Sequence, residues 1–482
     1  MVDPFTDERM SDMSLARQFA ERVAALRCDD LPPEAIYWSK VAVLDTVGVT
    51  LAGAVEAAPK ILSEILGLRE NAGPSLVLGT SLRASSLDAA LVNGTASHAL
   101  DFDNTSNTMA GHMSACMIPA LLAAGEAFGA SGRDVLLAHT AGFEVGARLG
   151  HGLNFYHHEK GWHPTSTLGV FAVAAACARL LNLSVDETET ALAMSTSLAA
   201  GTKANFGTMT KPLHAGQCAR GGLMAALLAR KGFTANPGAF EHKQGFFDVF
   251  NGPGNYDAGR ILEGWGNPLD VVAPGACYKQ YACCAGVHSA IDASLMLVHQ
   301  HGLFKAADIA RIESWTAPRR LAHTDRPQPN SALDAKFSVQ YCVARALLHG
   351  KVLFEHFEGD AFRDPVVRGL LPRIHAAPFT EAQFPKDNNN GAEIRVTMAG
   401  GQPFSAKVDR ALGRTTQNPI PLEQLKTKFG DCALRVLTPE AVASAAGVIE
   451  SFEELDSIRD FMTLLEPGSK SQVPRALKRG SA

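Results

Sequence analysis

Apolar residues recur at three- and four-residue spacing through most of the first 269 residues of this chain. That spacing places them on one face of an α-helix, so it predicts a succession of amphipathic helices. The helical stretches are rich in Ala and Gly, and small residues let helix axes approach closely, which favours a tightly packed helical domain. The predicted helices cover residues 14–27, 33–51, 57–68, 113–129, 134–150, 165–181 and 187–200.

The pattern changes after residue 274. Residues 309–315 and 392–398 alternate apolar and polar positions, as half-buried strands do, and residues 404–408 can pair with the second strand after a Gly-Gly turn. Residues 334–348 form a predicted helix between these strands. The helical pattern then returns in residues 421–429, 439–452 and 455–465, and the polar tail, residues 469–482, is predicted to be disordered.

These patterns predict a mainly α protein with two domains. Residues 1–272 and 417–482 form a large all-helical domain built from both ends of the chain, and residues 273–416 form a smaller inserted α+β domain. The length agrees with this division, because 482 residues are too many for one compact core.

Composition and charge exclude several classes of protein. Hydrophobic residues make up 46% and charged residues 19%, as in ordinary globular proteins rather than disordered ones. The net charge of −5, without a long basic run, argues against nucleic acid as a partner. The N-terminus has no signal-peptide core and no later apolar run reaches the roughly 18 residues that span a bilayer, so we expect no membrane partner.

Cysteine usage bears on the compartment. Nine cysteines, an odd number without any CxxC spacing, are typical of a reducing compartment and argue against a structural zinc site. We therefore expect a cytoplasmic protein. The sequence also contains no Walker A, GxGxxG or GxSxG motif, so it lacks the usual evidence for nucleotide binding or serine-hydrolase chemistry.

The stretch of residues 98–112 is the most polar interruption of the helical pattern, and it contains His98, Asp101, Asp103 and His112. His98 and Asp101 are three residues apart at the end of a helical run, so we expect them on one face. A carboxylate and imidazoles can abstract a proton next to a substrate carboxylate and return it elsewhere. An Asp/Asn-rich loop with capping aspartates is the alternative interpretation of this stretch taken alone.

Two predicted helix starts carry a cationic residue directly before a proline, in His163-Pro164 and Lys211-Pro212. A helix N-terminus is itself positive, so a cation there makes sense if an anion binds close to both. His214, in the first turn of the second helix, strengthens this interpretation. For either position alone, an ordinary loop residue is the alternative.

Lys279 is a third candidate anion contact. It lies where the helical part gives way to the α+β part, and ligand sites favour such junctions. A linker lysine beside a pair of core cysteines is the alternative. Those cysteines, Cys283 and Cys284, are adjacent and too strained a pair to form a routine disulfide.

Metal binding is a rival use of the same polar residues. Neither candidate set of ligands has HExxH spacing or a paired CxxC, so acid–base chemistry is favoured and the sequence predicts neither a metal nor another cofactor. The two sets are His157, His158 and His163, and His98, Asp101 and His112.

Four motifs, taken in order over most of the chain, resemble the MmgE/PrpD family. They are residues 98–105 (HALDFDNT) followed by His112, residues 161–165 (GWHPT), residues 211–216 (KPLHAG), and Lys279 with His288. Near the end of the chain, residues 418–421 (NPIP) and 426–429 (KTKF) resemble the family's return into its helical domain.

The resemblance implies a large helical domain, a smaller α+β lid domain, usually a homodimer, and cofactor-free chemistry on small di- or tricarboxylic acids. The matching functional positions are Asp101, Thr105, His112, His163, Lys211 and Lys279. In such a site the lysines hold carboxylates, while the aspartate and the histidines handle protons. The resulting prediction assigns catalysis to Asp101, His112 and His163, and substrate binding to Thr105, Lys211, His214, Lys279 and His323.

The chain also departs from the family pattern. Asn104 stands in place of the second of two aspartates, and Met113 in place of the proline that follows the histidine. Cys284 and His323 stand where a decarboxylase of the family has a histidine and a tyrosine. These differences disfavour decarboxylation as the activity.

The favoured hypothesis is therefore a cofactor-independent lyase, a hydro-lyase (dehydratase) that removes the proton alpha to a carboxylate. An epimerase or isomerase of a small dicarboxylate such as iminodisuccinate, and a decarboxylase of the cis-aconitate type, are the alternatives within the family. A non-catalytic carboxylate-binding protein is the alternative from another class.

Overall fold

Helices dominate the computed structural model, which describes residues 13–468. The prediction of a mainly α chain is confirmed, whereas the tail predicted to be disordered, residues 469–482, lies outside the described residues. Of the described residues, one compact unit holds those up to Tyr278, Thr415–Gln417 and those from Pro421 onward. A second unit holds Lys279–Arg414 and Asn418–Ile420.

The first unit is helical, with two short antiparallel strand pairs, β1 with β2 and β3 with β4. Its elements up to residue 278 are α1 (Leu15–Ala25), α2 (Pro33–Gly53), α3 (Ala57–Ile65), β1 (Ser75–Leu76), β2 (Arg83–Ala84), α4 (Ser86–Ala99), β3 (Thr105–Ser106), α5 (Met113–Phe128), α6 (Gly132–Leu153), α7 (Tyr156–Glu159), α8 (Pro164–Thr167), α9 (Gly169–Leu180), α10 (Val185–Ser195), α11 (Thr210–Ala229), α12 (Phe246–Phe250), α13 (Gly259–Leu262) and β4 (Ala276–Cys277).

The second unit is built around a four-stranded sheet in the order β6-β5-β7-β8. β5 pairs parallel with β6 and antiparallel with β7, and β7 pairs antiparallel with β8. Its elements are α14 (His288–His301), β5 (Ile309–Thr316), α15 (Pro318–Thr324), α16 (Ala332–Ala335), α17 (Val339–His349), α18 (Pro365–Leu370), β6 (Ile374–Pro378), β7 (Ala392–Met398) and β8 (Pro403–Val408). The last described helices are α19 (Leu422–Ala433), α20 (Pro439–Glu450) and α21 (Ile458–Leu464), and they belong to the first unit.

Several helix boundaries follow from local chemistry. The hydroxyl of Ser85 accepts a hydrogen bond from the Asp88 amide and caps α4, and Pro33 occupies the first turn of α2, where a missing N–H costs nothing. α6 begins with a reciprocal capping box between Ser131 and Asp134. These signals explain why the predicted starts of α2 and α6, residues 33 and 134, lie within two residues of the observed starts, Pro33 and Gly132.

The structure corrects other predicted elements. The helix predicted at residues 334–348 is two helices, because the Ser338 hydroxyl accepts from the Tyr341 amide and starts α17 anew. The helix predicted at 165–181 is divided at Leu168; Ser166 and Thr167 hydroxyls turn back onto the His163 carbonyl, a local alternative to helical hydrogen bonding. The edge strand β6 was not predicted, since its sequence IHAAP lacks the β-branched alternation of a typical strand.

One helix among the described residues, α2, is long and apolar enough to cross a membrane by length and composition alone. The expectation that no apolar run is long enough is therefore wrong for residues 33–53. Within the protein, 83% of its apolar window is buried, which is equally typical of a core helix. α2 also carries a buried carboxylate, Asp45, which is described below.

Candidate active site

The end of α4 and the beginning of α11 meet in the first unit. The two helices approach closely because both carry glycine at their contact: a Cβ atom at Gly94 would lie 2.9 Å from the Gly216 Cα, and one at Gly216 would lie 2.2 Å from Thr95 Oγ1. This contact places His98, at the end of α4, in the same region as Lys211, in the first turn of α11. α11 begins at Thr210, so Lys211 lies inside the helix rather than just before it, which corrects the predicted start at Pro212.

Asp101 and Lys211 form a buried ion pair. Lys211 Nζ donates to Asp101 Oδ1 at 2.6 Å. Asp101 lies two residues beyond the last helical residue, Ala99, and adopts a left-handed backbone with φ of 53°. That conformation costs a residue with a Cβ about 1–2 kcal/mol, so the surrounding contacts must hold it. The expectation that His98 and Asp101 share one helical face is wrong, because the helix ends between them.

A second carboxylate, Asp103, contacts two histidines. His98 Nδ1 lies 3.0 Å from each Asp103 oxygen, and His112 Nδ1 lies 2.7 Å from Oδ2. Burial alone would raise the pKa of Asp103, but the two histidines hold it well below its usual value, so it accepts hydrogen bonds as a carboxylate. Both rings therefore carry their hydrogen on Nδ1, and Nε2 becomes the atom of His112 that can transfer a proton.

The other two histidines of the site are held neutral. His163 and His214 lie with their Nδ1 atoms 3.1 Å apart, and the Phe206 ring contacts both His163 and the Lys211 ammonium. Burial, reinforced by neighbouring positive groups including Lys211, lowers the pKa of His163 well below its usual value. Burial and the Lys211 charge also lower the pKa of His214, and burial lowers that of His98 to about 4.

The start of α5 fixes His112. The His112 backbone N–H donates to Thr165 Oγ1 at 3.1 Å, and His112 is the N-cap residue of α5. Thr165 follows the His163-Pro164 helix start, which the structure places as predicted. Thr165 was not predicted as a site residue, although it belongs to the GWHPT motif.

Residues 101–104 form a loop after α4, called here the 101–104 loop, and two buried charged side chains, Asp45 and Lys428, hydrogen-bond to it. Asp45 Oδ2 accepts from the backbone N–H of Asn104 at 3.0 Å and from its Nδ2 at 2.9 Å. Lys428 Nζ donates to Asp45 Oδ1 at 2.6 Å and to the Phe102 carbonyl at 2.7 Å. Asp45 and Lys428 were not predicted as site residues. The signal that could have indicated Asp45 is that it is a lone carboxylate in the apolar run of α2.

The structure brings together five predicted site residues, Asp101, His112, His163, Lys211 and His214, in the first unit. Thr105 lies two residues beyond Asp103, in β3, and pairs with Cys277 of β4. Lys279 and His323 belong to the second unit, where Lys279 is buried and His323 lies in α15. The cysteines are free, which agrees with the prediction that Cys283 and Cys284 form no disulfide.

Two sets of residues were considered as metal ligands. In the first, His157 contacts Asn251 Oδ1 at 2.6 Å and Thr167 Oγ1 at 2.8 Å through its two ring nitrogens, which is typical of a structural histidine. The second predicted set was His98, Asp101 and His112; the structure adds Asp103 to it, and ligand atoms of the four residues lie within 4.8 Å of one another. The hydrogen bonds described above engage this set internally, and Lys211 supplies a positive charge to Asp101, which favours acid–base use.

Comparison with known proteins defines the class. The family model for the MmgE/PrpD N-terminal domain matches residues 17–258, and that for the MmgE/PrpD C-terminal domain matches residues 281–454. The chain belongs to the MmgE/PrpD family, and it is an enzyme of that family.

Three individual proteins are similar to this chain over at least 93% of its length. Cis-aconitate decarboxylase of Homo sapiens is 30% identical over 477 residues, covering 95% of this chain and 96% of the relative. The Mus musculus enzyme of the same name is 29% identical, covering 94% of this chain and 93% of its own. A cis-aconitate decarboxylase of Aspergillus terreus is 27% identical, covering 93% and 95%.

Proposed function

We propose that this protein is a cofactor-independent lyase, of the hydro-lyase type, that acts on a small di- or tricarboxylic acid. The observation that carries the proposal is the Asp103 carboxylate shared by His98 and His112, next to the Asp101–Lys211 pair. This arrangement supplies a base with a fixed tautomer and a cation within one buried site. Cytoplasmic location and a homodimer are part of the proposal.

Each group has a role in the proposed elimination. His112 Nε2 takes the proton from the carbon alpha to a substrate carboxylate, and the C–H electron pair forms the double bond as hydroxide leaves the next carbon. As the C–H bond breaks, the positive charge of Lys211 stabilises the negative charge that develops on the substrate carboxylate. As hydroxide departs, Asp101 passes it a proton drawn from the Lys211 ammonium, so that water leaves and Lys211 ends neutral. His163 and His214, being neutral, hydrogen-bond the leaving hydroxyl, and Thr105, Lys279 and His323 are proposed substrate contacts.

A second candidate is decarboxylation of a cis-aconitate-like acid. It is favoured by the relatives, which are named cis-aconitate decarboxylases at 26–30% identity. Here the carboxylate leaves as CO2, its electron pair stays on carbon, and protonated His112 delivers a proton there instead of taking one. Cys284 and His323 are the positions where this chain differs from that activity's pattern.

Product analysis in deuterated water tests the proposal. The protein is incubated with citrate, methylcitrate, cis-aconitate, malate and iminodisuccinate, and products are followed by NMR. We expect loss of water from a hydroxy acid, and we expect it to survive exhaustive chelation. CO2 release from cis-aconitate would select the second candidate, deuterium incorporation without elimination would indicate an epimerase, and no exchange into any acid would overturn the chemistry.

A variant separates the enzyme from a mere carboxylate binder. The double substitution Asp101→Ala, His163→Ala should abolish turnover, because it removes half of the ion pair and one neutral histidine. Undiminished turnover in this variant would show that the site is assigned wrongly. An inactive parent that binds the acids tightly would indicate a binding protein.

A further inference from the structure

The 101–104 loop is attached on both sides of Asp103 by residues that take no part in the proposed chemistry. On one side, Lys428 Nζ donates to the Phe102 carbonyl and lies 3.8 Å from the centre of the Phe102 ring. On the other side, Asp45 Oδ2 accepts both hydrogen bonds from Asn104. The two anchoring side chains are joined to each other at 2.6 Å.

The anchors come from opposite ends of the chain. Asp45 lies in the middle of α2 and Lys428 in α19, 383 residues later. The two helices pack closely, since a Cβ atom at Gly48 would lie 3.1 Å from the Phe429 ring and 3.3 Å from the Phe429 Cα. Gly48 is one helical turn from Asp45, and Phe429 is next to Lys428. This close contact between the helices therefore determines how near the Asp45 and Lys428 side chains lie to the loop.

The anchored segment is the one whose geometry matters most. Asp101 is held in a left-handed conformation that its side chain disfavours, and Asp103 must hold two imidazoles in one tautomer. Free rotation of the peptides at residues 102 and 104 would relax both. A buried carboxylate and ammonium are costly unless paired and hydrogen-bonded, and here their hydrogen bonds end on this loop.

We propose that Asp45 and Lys428 are positioning residues that lock the 101–104 loop, so that the active site is complete only when the C-terminal helix α19 is docked on α2. Their effect on turnover rests on the proposed function. Their effect on the loop itself does not.

The double variant Asp45→Asn, Lys428→Met tests the proposal without leaving one buried charge unpaired. Turnover number should fall about ten- to a hundredfold while KM changes little, because the loop moves but Lys211 and His214 keep their places. Amide hydrogen exchange in a peptide covering residues 100–106 should become faster than in the parent. Exchange in α5 and α11 should stay at the parent rate.

Two further variants act as controls. Asp45→Asn, Lys428→Gln keeps a donor for the Phe102 carbonyl, and it should recover most of the loop protection and turnover. Lys426→Met removes a lysine of the same helix whose partners are Glu423 at 3.0 Å and Glu450 at 2.5 Å, and it should behave as the parent.

Parent-like exchange of residues 100–106 in the methionine variant would overturn the proposal. Equal losses in the methionine and glutamine variants would overturn it as well. If the parent turns over none of the acids, the proposed function fails, and the exchange measurements alone still decide whether the loop is locked.

Discussion

Among the residues that the structure describes in the helical unit, the buried pairs Asp45–Lys428 and Asp101–Lys211 differ in their surroundings rather than in their own geometry. In each pair the lysine Nζ lies 2.6 Å from a carboxylate oxygen, and the side chains are almost equally buried. The Asp45–Lys428 pair makes its other hydrogen bonds to the Asn104 amide groups and the Phe102 carbonyl. The Asp101–Lys211 pair lies beside His163 and His214, whose pKa values are lowered by burial and further by the Lys211 charge.

A buried ion pair is therefore not by itself a sign of catalysis. In both pairs the attraction between the two charges offsets the cost of burying them. The Asp45–Lys428 pair is further hydrogen-bonded to backbone and amide groups, whereas the Asp101–Lys211 pair lies next to titratable histidine rings. We therefore assign the Asp45–Lys428 pair to loop geometry and the Asp101–Lys211 pair to chemistry.

The largest expected effect is that of Asp103→Asn on the catalytic side of the comparison. An amide in place of the carboxylate offers one acceptor instead of two equivalent oxygens, so one histidine loses its fixed tautomer. We expect the turnover number to fall by about 10⁴-fold, as when the carboxylate of a Ser-His-Asp triad is replaced. Steady-state kinetics on the preferred acid measure this. A loss of less than about tenfold would mean that His112 does not depend on Asp103.

Asp101→Asn should lower turnover by about 10³-fold, because it removes the proton-handling carboxylate of the pair. It also leaves Lys211 without its carboxylate partner. An added polycarboxylate should then replace the missing charge, so saturating citrate should raise the melting temperature of the variant more than that of the parent. The matched control is Asp45→Asn, whose melting temperature citrate should raise no more than it raises that of the parent. Equal citrate effects on both variants would break the comparison.

Lys428→Met should act on stability. It leaves Asp45 buried without its cation, which typically costs about 3–5 kcal/mol in the free energy of unfolding. Urea denaturation measures the change, with Lys426→Met as the control that should keep the parent midpoint. If both variants unfold at the parent concentration of urea, the Asp45–Lys428 pair does not hold the helices together.

The residues around the Asp101–Lys211 pair were easier to predict from the sequence than the Asp45–Lys428 pair. Lys211 and His163 were found because each stands beside a proline at a helix start, a local signal that the structure retains with a shift of two residues at Lys211. The strand at residues 392–398 and the start of α2 were also predicted correctly, since period-two alternation and a proline at a helix start are local too.

What sequence reasoning missed depends on long-range contacts. No spacing links Asp45 to Lys428 across 383 residues, and only the packing of two helices brings them together. The expectation that His98 and Asp101 share one helical face was wrong for a local reason, because α4 ends at Ala99 and the left-handed Asp101 redirects the chain. Helical periodicity carries no information beyond the last helical residue.

The smallest expected effect is on the pH dependence of the free energy of unfolding, and it distinguishes the region of His98 from the region of the Asp45–Lys428 pair. Burial lowers the pKa of His98 from 6.5 to about 4, so below pH 6.5 the unfolded chain binds a proton that the folded protein does not. The free energy of unfolding therefore falls as pH drops from about 6.5 to about 4, by ~3 kcal/mol for this residue. His139 and His157, whose pKa values burial lowers to about 3 and about 4, add to the slope.

The variant His98→Gln should therefore show a shallower loss of stability between pH 6.5 and pH 4 than the parent, measured by urea denaturation at a series of pH values. Asp45→Asn, Lys428→Gln removes no histidine and should keep the parent slope, although it perturbs the loop on the other side of Asp103. If the slope instead changes in the loop variant and not in His98→Gln, the acid response belongs to the Asp45–Lys428 region and the division between the two pairs fails.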